Sequence, residues 1–537
     1  MDSFDVIIAG CGPTGAALAN YLGKNGLTVL IIDREDAIVD YPRAVHIDEE
    51  VIRIFQELQV YEQMKTTAIK EFEYYQLVNP RDKVLFEFKP NCSISQEIPS
   101  CNWILQPEIE RYLREGFSRY PNVLFRNNTE CTGFSQDERN VNVNLRDVNT
   151  GIEYECKAKY LVAADGGRSN IRKQLNIAML DFGFRKEWFV VDTEYKGTDS
   201  YSEKHKQYCD PKRPTTYVNG VGNHFRWEFM IKDTDAMLSE TEFERECLQS
   251  LASKVPVADF ELIRKKKYCF HTVIAKKWRV KRVFLAGDAA HQMPPFLGQG
   301  MCSGIKDVRN LAWKLEVACK VNNAYSELLL DSYFDERFLQ VKRIIKMASY
   351  LGSFIQYTNQ YLTPIRNLVL KAINILPQDF PDQLIERYLY SYRHSTRSIF
   401  PEFRLSGTRL PQPMVQYNGE RVYLDKILKE EWTILTNKID ITKNDIYGAN
   451  IIFVSDKLIG ADHIIVSPEL VAWFKKKKTD FVIVRPDKTI YGAGTAHNLE
   501  IQLKELSALL NAVYYRKRLH RAEILHQENP SDGSAEN

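Results

Sequence analysis

Short, mostly apolar runs recur along this chain, and each run is followed by glycine or aspartate. They cover residues 4–9, 28–32, 160–164 and 283–286. Helical spacing of apolar positions then follows at residues 16–24, 170–175 and 303–317. Short, mostly apolar runs are typical of buried strands, and alternation of such strands with helices is typical of α/β proteins. The pattern therefore predicts an α/β domain.

A glycine-rich turn joins the first strand to the first helix, with Gly10, Gly12 and Gly15 at G-x-G-x-x-G spacing. In this motif the first glycine permits a tight turn, the second lets the backbone approach a pyrophosphate, and the third lets helix and strand pack closely. The next strand ends at Asp33, where a carboxylate accepts hydrogen bonds from ribose hydroxyls. The pattern predicts a Rossmann-like nucleotide site and leaves FAD and NAD open as its ligand.

A second candidate site follows the apolar run at residues 283–286. Gly287 and Asp288 end that strand, two prolines then forbid helix, and a Gly-Gln-Gly turn at 298–300 opens the next helical pattern. The start of a helix carries unpaired N–H groups and a partial positive charge. We therefore expect an electron-rich ligand where this loop meets the helix.

Apolar and polar positions alternate within residues 72–98 and again within 187–270. Alternation at period two predicts strands with one buried face. We expect these two segments to form one antiparallel sheet over the α/β domain, with a substrate between the layers. Tyr217, Arg226 and Trp227 are candidates to hold an aromatic ring and a carboxylate, although packing within the sheet explains them equally well.

The carboxy-terminal third changes character twice. Helical spacing over residues 324–343 and 344–376 predicts helices that cover the first domain. A separate small α/β domain is then predicted, with strands at 450–454 and 481–488 and a helix at 499–512. The polar residues 516–537 are expected to be a disordered tail.

Composition narrows the classes of partner. The chain has 537 residues and a formal net charge of +2, which gives no argument for nucleic acid or an anionic membrane. Its ten cysteines form no C-x-x-C pair and no metal-like cluster, which fits isolated thiols in a reducing compartment and no metal site. There is no signal-peptide pattern and no apolar stretch long enough to span a bilayer. We expect a soluble, cytoplasmic protein of more than one domain.

Three turn motifs together resemble the fingerprint set of the group A FAD-dependent aromatic hydroxylases. They are Gly10-x-Gly12-x-x-Gly15, Asp165-Gly166-Gly167 and Gly287-Asp288. Four further segments are most similar to the 3-(3-hydroxyphenyl)propionate hydroxylase branch, with polyketide-tailoring hydroxylases as near relatives. These segments are YPRAVHIDEE (41–50), DAAH (288–291), GQG (298–300) and NLAWKL (310–315).

The resemblance implies an α/β architecture of three parts. They are a Rossmann-like FAD-binding domain (1–71, 99–182 and 271–404), an inserted antiparallel substrate-binding sheet (72–98 and 183–270) and a C-terminal thioredoxin-like domain (405–515). The last assignment rests on Val-Arg-Pro-Asp at 484–487. No cysteine follows Cys319, so this domain lacks CxxC and cannot exchange disulfides.

The resemblance also implies that FAD is the cofactor and where it is contacted. The implied contacts are Gly10, Gly12, Pro13, Thr14, Gly15, Asp33, Arg34, Arg43, Gln106, Asp165, Gly287, Asp288, Pro295, Gly298, Gly300 and Met301. His46, His291 and Pro294 are candidates for the catalytic group, and a structural role explains both histidines as well. Many family members carry asparagine where this chain has Cys302, which we expect to be a small buried filler.

The activity implied is hydroxylation of a phenol beside its existing hydroxyl, with O2 and NADH or NADPH as co-substrates. A 3-(3-hydroxyphenyl)propionate-like acid in aromatic catabolism is the expected substrate, and a polycyclic polyketide phenol is the alternative. A flavin-binding protein without turnover stays open as another class. A halogenase is disfavoured because no Trp-x-Trp-x-Ile-Pro segment occurs. A homo-oligomer is possible.

Overall fold

The computed structural model describes residues 2–72, 74–89, 98–197, 204–252, 259–321, 323–375, 403–438, 440, 449–457 and 464–505. The chain forms two compact units. Unit one comprises Met1–Arg309 and Arg337–Ser391, and unit two comprises Asn310–Glu336 and Tyr392–Asn537. The predicted tail at 516–537 lies outside the described residues.

The apolar runs form the first sheet of unit one. Its strands, in order, are Arg279–Val280, Val283–Leu285, Glu153–Ala163, Ser3–Ala9, Val29–Ile32 and Val123–Arg126, with Val141–Asp147 and Thr129–Gln136 attached to Glu153–Ala163 as an antiparallel extension. The five strands from Val283–Leu285 to Val123–Arg126 run parallel. The α/β prediction is confirmed.

The register of this sheet brings the predicted motifs together. Ala9 is opposite both Ala163 and Ile32, and Ala163 is opposite Leu285. Because these strands are parallel, their carboxyl ends lie at one edge of the sheet. The glycine turn, Asp33, the Asp-Gly-Gly turn and Gly287-Asp288 therefore all leave the sheet at that edge.

Unit one also contains helices, some of which pack on this sheet and some on a second sheet described below. Those of unit one or shared by both units are Pro13–Lys24, Glu49–Glu57, Tyr61–Thr67, Gln106–Ser118, Asn170–Gln174, Glu240–Ala252, Gln299–Lys320, Ala324–Ile355 and Thr363–Ile373. A small antiparallel sheet is formed by His46–Asp48, Cys101–Ile104 and Ile69–Glu71. The helical pattern over residues 344–376 predicts a cover for the first domain. Helix Thr363–Ile373 packs instead on strand Val84–Phe88, which belongs to the second sheet. There the backbone N–H of Glu87 donates to Oδ1 of Asn374, just after the helix, at 3.0 Å.

The second sheet has eight strands, which come from both alternating segments and, in the case of His291–Gln292, from the chain after them. In order they are His291–Gln292, Phe260–Ala275, Met179–Tyr195, His224–Ile231, Thr215–Asn219, His205–Tyr208, Tyr75–Val78 and Val84–Phe88. The expectation of a wholly antiparallel sheet is wrong at one pair, because His205–Tyr208 runs parallel to Tyr75–Val78. These two strands come from different segments of the chain, and a long connection permits a parallel pair.

A helix that the alternation did not predict covers one face of the second sheet. Helix Glu240–Ala252 buries Phe243, Cys247 and Leu251, which are spaced four residues apart and so share one helix face. They pack in a cluster with sheet residues that include Phe189 and Trp227. The opposite face of the sheet is the one that this helix leaves uncovered.

Unit two contains a seven-stranded mixed sheet. In order its strands are Glu420–Tyr423, Met414–Tyr417, Ile464–Val466, Asn450–Ser455, Thr433–Thr436, Phe481–Val484 and Ile490–Gly494, with helices Leu424–Leu428 and Pro468–Lys477. Both predicted strands are present, but the second ends at Val484, whereas the prediction extends it to residue 488. Residues 499–505 are helical, and the rest of the predicted helix lies outside the described residues. The thioredoxin-like assignment stays a prediction.

Two of the segments that carried the family resemblance meet inside unit two. Arg485 donates to both oxygens of Glu336 at 3.0 Å, and Lys314 Nζ donates to Glu336 Oε2 at 3.0 Å. Asn310 Nδ2 donates to the same oxygen at 2.7 Å. All four side chains are buried, so this network takes the place of apolar packing there.

Among the helices that the structure describes, none has the length and apolar character needed to cross a bilayer.

Candidate functional site

The three glycines of the first turn have different neighbours. Gly10 has a φ of +103°, and a Cβ there would lie 2.3 Å from the carbonyl oxygen of Ala164. A Cβ on Gly15 would lie 1.9 Å from the carbonyl oxygen of Gly10, whereas one on Gly12 would meet nothing within 4 Å. Protein packing therefore requires Gly10 and Gly15, and open space surrounds Gly12. That opening is what close approach of a cofactor pyrophosphate needs.

Asp33 ties the second strand to this turn. Its Oδ2 accepts the backbone N–H of Cys11 at 2.7 Å, and its Oδ1 accepts that of Glu35 at 3.0 Å. The carboxylate thus fixes the glycine turn and retains lone pairs for ribose hydroxyls. Arg34 beside it is exposed and pairs with Glu35 at 2.8 Å.

A cavity of about 510 Å³ opens at this edge of the first sheet. Six of the residues implied as cofactor contacts line it, namely Gly10, Gly12, Asp33, Arg34, Arg43 and Asp165. Arg114, Arg168 and Lys173 also line it, and their positive charges suit a pyrophosphate. The sequence motifs missed these three, and the only signal was that Arg168 directly follows Asp-Gly-Gly. The volume is in the range of ordinary ligand sites.

The Asp-Gly-Gly turn contributes a carboxyl to the cavity. Asp165 Oδ2 accepts the backbone N–H groups of Asn170 at 2.9 Å and Ile171 at 3.4 Å. Its other oxygen is buried without a hydrogen-bond partner among the described residues. Burial raises the pKa of the Asp165 carboxyl. An uncompensated acceptor at a cavity wall suits a ligand that donates hydrogen bonds, so the residues present fit FAD.

The Gly287-Asp288 turn is held against the first helix. Gly287 has a φ of +60°, and a Cβ there would lie 2.7 Å from Thr14 Oγ1. A Cβ on Gly304 would lie 2.4 Å from the same oxygen. Thr14 therefore fills the junction between the turn and helix Gln299–Lys320. Gly304 was not among the predicted residues, since no motif marks it.

His291 is held in a buried ion-pair network. Its Nε2 lies 2.7 Å from Asp307 Oδ2, and Arg337 Nε donates to Asp307 Oδ1 at 2.8 Å. The backbone N–H of Gly287 donates to Asp307 Oδ2 at 3.1 Å. Although burial opposes it, the charges of His291 and Arg337 lower the pKa of Asp307. These contacts account for His291 as an anchor of the turn.

Asp288 differs from its neighbours because its side chain is exposed. Partial desolvation by nearby protein raises the pKa of the Asp288 carboxyl, and the charges of His291 and Arg43 partly offset the effect. An acidic side chain turned to open space beside buried residues is suited to accept hydrogen bonds from ribityl hydroxyls.

The proline loop leads directly into the long helix. Pro294 is extended, Pro295–Leu297 forms a 3-10 turn, and Gly298 has a φ of +61° before the helix begins at Gln299. A Cβ on Gly298 would lie 2.5 Å from His46 Nδ1, so glycine is needed there. Gly300 and Met301 lie in the first turn of this helix, where backbone N–H groups have no intrahelical partner.

Cys302 is fully buried one turn into the helix. Its Sγ donates to the carbonyl oxygen of Gly298 at 3.4 Å, and burial raises the pKa of its thiol. Burial and this hydrogen bond are consistent with Cys302 as a small side chain that fills space in the protein interior.

The segment around Arg43 is held from both sides. Gln106 Oε1 accepts the backbone N–H groups of Arg43 at 2.8 Å and Ala44 at 2.5 Å. Arg226 donates from the second sheet to the carbonyl oxygens of Pro42 and, at 3.3 Å, Arg43. The amides and carbonyls of residues 42–44 are thus fixed by residues far away in sequence. The Arg43 guanidinium reaches Glu110 at 3.1 Å.

Strand alternation separates the three candidate substrate residues. Tyr217 and Trp227 belong to the buried cluster under helix Glu240–Ala252, whereas Arg226 faces residues 42–43. Successive side chains of a strand point to opposite faces. Tyr217 and Trp227 therefore pack the covered face. Of the three, only Arg226 lies on the face turned to the edge of the first sheet where the cavity opens, which we call the cofactor edge.

An aromatic cluster extends from the proline loop to the second sheet. The His46 ring lies 6.3 Å from that of Trp103, and His205 lies 4.5 Å from Trp103 and 4.7 Å from Tyr75. Burial lowers the pKa of His205 to about 3, so its ring is neutral. His46 Nδ1 lies 3.5 Å from the carbonyl oxygen of Gly298, which places this cluster beside the loop.

Comparison with known proteins identifies relatives of the chain. The family model described as "FAD binding domain" matches residues 3–348. The 3-(3-hydroxy-phenyl)propionate/3-hydroxycinnamic acid hydroxylase of Burkholderia cenocepacia (strain HI2424) is 30% identical over 519 residues, covering 90% of this chain and 93% of the relative. The enzyme of the same name from Escherichia coli (strain SMS-3-5 / SECEC) is 30% identical over 552 residues, covering 95% of each.

Solved structures share the fold over nearly the full length. The flavin-dependent monooxygenase PieE, in complex with FAD and substrate, has a TM-score of 0.78 at 19% identity and covers 96% of this chain and 99% of its own. Aklavinone-11 hydroxylase, in a ternary complex with FAD and aklavinone, has a TM-score of 0.76 at 21% identity with the same coverage.

Proposed function

Because the chain belongs to the family of FAD-dependent aromatic hydroxylases, we propose that it hydroxylates a phenolic acid similar to 3-(3-hydroxyphenyl)propionate, beside the existing hydroxyl. NADH or NADPH and O2 are the proposed co-substrates. The observation that carries this proposal is the extent of the similarity to relatives of that name, which covers 90% of this chain or more. It therefore includes both the cofactor edge and the second sheet, where specificity for a substrate would be encoded.

The proposed roles follow from the geometry. Bound FAD supplies the transfer of electrons from the nicotinamide to oxygen. Gly12, Asp33 and Arg43 would hold its adenosine and pyrophosphate, and Asp288 its ribityl chain. The backbone at Pro295, Gly298, Gly300 and Met301 would lie beside its ring, where the helix start favours negative charge.

The aromatic cluster and the second sheet would enclose the substrate and exclude water from it. His46 is the proposed link between the proline loop and this cluster. His291 is proposed as a positioning residue for the Gly287-Asp288 turn, because Asp307 already accepts its hydrogen bond.

One assay tests this proposal. The purified protein is examined for bound FAD, and oxidation of NADH and NADPH is followed with 3-(3-hydroxyphenyl)propionate, 3-methylphenol and a polycyclic phenol, with identification of products. We expect the propionate to stimulate oxidation and to yield the ortho-dihydroxy product. Product from the polycyclic phenol alone would favour a tailoring enzyme. Bound FAD with no product from any phenol would favour a flavin-binding protein without turnover.

A further inference from the structure

Glu228 is a buried acid on the face of the second sheet that is turned to the cofactor edge. It lies in strand His224–Ile231, two residues after Arg226 and two before Met230, and only 9% of it is exposed. Side chains two apart on a strand share a face. Glu228 therefore lies on the face that helix Glu240–Ala252 leaves uncovered.

The two residues that flank Glu228 on this face, Arg226 and Met230, show which parts of unit one lie near it. On one side, Arg226 donates to the carbonyl oxygens of Pro42 and Arg43. On the other side, Met230 is opposite Trp188, whose ring lies 6.2 Å from that of Phe296 in the proline loop. On this face of the sheet, Glu228 thus lies between Arg226, which contacts residues 42 and 43, and the pair of Met230 and Trp188, of which Trp188 contacts the proline loop.

Nothing in the described part of the chain donates a hydrogen bond to the Glu228 carboxyl. Arg226 Nη1 lies 4.0 Å away and donates to the carbonyl oxygen of Arg43, while Nη2 donates to that of Pro42 and Nε donates to Asp192. The hydroxyl of Thr216, directly opposite on the next strand, donates instead to Gln207 at 2.7 Å. The carboxyl of this mostly buried residue therefore keeps its acceptor capacity for a ligand that donates a hydrogen bond.

The charged and titratable groups around Glu228 come from four strands. They are Arg226 on its own strand, Asp192 on Met179–Tyr195, Tyr75 on Tyr75–Val78, and Lys266, which is exposed and opposite Val190 on Phe260–Ala275. Burial raises the pKa of Glu228, and Arg226 partly offsets this. A carboxyl whose pKa is raised toward neutrality is a better proton acceptor than an ordinary surface glutamate.

We propose that Glu228 is the catalytic residue that accepts the proton of the substrate's phenolic hydroxyl, an inference that rests on the proposed function. The O–H bond of the phenol breaks, its electron pair stays on the phenolate oxygen, and the proton joins a carboxylate oxygen of Glu228. The negative charge moves from the carboxylate to the ring system, which makes the carbon beside the hydroxyl more nucleophilic. The three nearby histidines serve less well, because His291 is bound to Asp307, His205 has a strongly lowered pKa, and enclosure lowers that of His46.

The experiment compares Glu228→Gln and Glu228→Asp with the wild type and with Glu261→Gln, an exposed glutamate of the same sheet. Hydroxylated product, NAD(P)H oxidation and FAD content are measured from pH 5 to pH 9 on the holoenzyme. The probes are 3-(3-hydroxyphenyl)propionate, 3-methylphenol and a fluorinated 3-methylphenol that ionises at lower pH. We expect Glu228→Gln to retain FAD and to hydroxylate about 100-fold more slowly or worse, with a smaller loss for the fluorinated phenol. Glu228→Asp should recover part of the rate, and Glu261→Gln should match the wild type.

Two results would overturn the proposal about Glu228 alone. One is a Glu228→Gln enzyme that hydroxylates within threefold of the wild type at every pH. The other is obtained with the wild type and so does not depend on folding of the variant. It is the finding, from the ultraviolet spectrum, that a phenol bound to the wild type ionises at the same pKa as the free phenol. Absence of product from every phenol with the wild type would instead overturn the proposed function together with the role of Glu228.

Discussion

The guanidinium of Arg226 donates a hydrogen bond to the carbonyl oxygen of Pro42, so a strand of the second sheet holds the backbone that carries Arg43. Asp192, which is fully buried, orients Arg226 by accepting its Nε–H at 2.8 Å, and it also accepts from Arg264 at 2.8 Å. Arg264 in turn lies over the ring of Tyr41 at 3.7 Å. One acid of the second sheet therefore organises two arginines on the segment at residues 41–43.

Arg226→Lys should weaken FAD binding about tenfold. Lysine keeps a positive charge for Asp192 but has no planar fork with which to reach two carbonyls, and each lost hydrogen bond to a buried group costs about 1–3 kcal/mol. Titration of FAD into the apoprotein, followed by flavin fluorescence, measures the effect. Lys267→Gln, at an exposed residue of the same sheet, is the control. Unchanged affinity in Arg226→Lys would mean that Gln106 alone fixes the segment.

Two alanine substitutions in the glycine turn should have different effects, one on folding stability and the other on FAD affinity. Gly15→Ala places a Cβ 1.9 Å from a backbone oxygen and should cost about 1–3 kcal/mol of folding free energy or more. Gly12→Ala meets no atom within 4 Å and has an extended backbone that alanine accepts. It should fold normally and lose at least about tenfold in FAD affinity. Thermal unfolding of the apoprotein and FAD titration distinguish the two, and normal FAD affinity in Gly12→Ala would place the pyrophosphate elsewhere.

Asp288→Ala should lower retention of FAD sharply. Hydrogen bonds to a charged acceptor contribute about 1.5–3 kcal/mol, which corresponds to roughly 10–100-fold in affinity. The FAD content after gel filtration and the dissociation constant of the apoprotein are the measurements. Asp233→Ala, at an exposed aspartate of unit one, should leave both unchanged. If Asp288→Ala kept its FAD fully, the ribityl chain would have another partner.

Local patterns indicated which motifs meet at the carboxyl edge of the first sheet, because each motif is short in sequence. The turn at Gly10 needs only the strand before it and the helix after it, and parallel strands then bring Asp33 and Gly287 to the same edge. The substrate side was harder to predict. Strand His224–Ile231 is buried at six consecutive positions, so its pattern did not show that Trp227 and Arg226 face opposite sides. Helix Glu240–Ala252, which decides which face is covered, went unpredicted within a segment assigned to strands.

Long-range ion pairs were outside the reach of sequence patterns. Arg485 and Glu336 are separated by 149 positions, and neither carries a local signal that names its partner. The segments that contain Asn310 and Arg485 each resemble a family motif. The hydrogen-bond network that joins them through Glu336 depends on the folded chain and has no signal in either segment.

Glu336→Gln should destabilise unit two and remove part of its sensitivity to acid. Burial opposes ionisation, but Arg485 and Lys314 lower the pKa of Glu336 to about 2, below the value of about 4.3 for an unfolded glutamate. The folded state therefore binds fewer protons than the unfolded state between these values. The stability contributed by Glu336, of order 3 kcal/mol, is present above about pH 4.3 and is lost as the pH falls toward 2. Urea unfolding followed by tryptophan fluorescence at several pH values measures it.

The substitution removes one member of a buried ion network and should cost about 3–5 kcal/mol at pH 7. It should also flatten the decline of stability between pH 4.3 and 2. Glu316→Gln is the matched control, since Glu316 forms an i,i+4 pair with Lys320 at 2.7 Å on the surface of the same unit, and such a pair contributes about 0.3–0.5 kcal/mol. Equal stability of the two variants at pH 7 would show that Arg485 and Lys314 find other partners, such as Asp487, which already accepts from Arg485 at 2.5 Å.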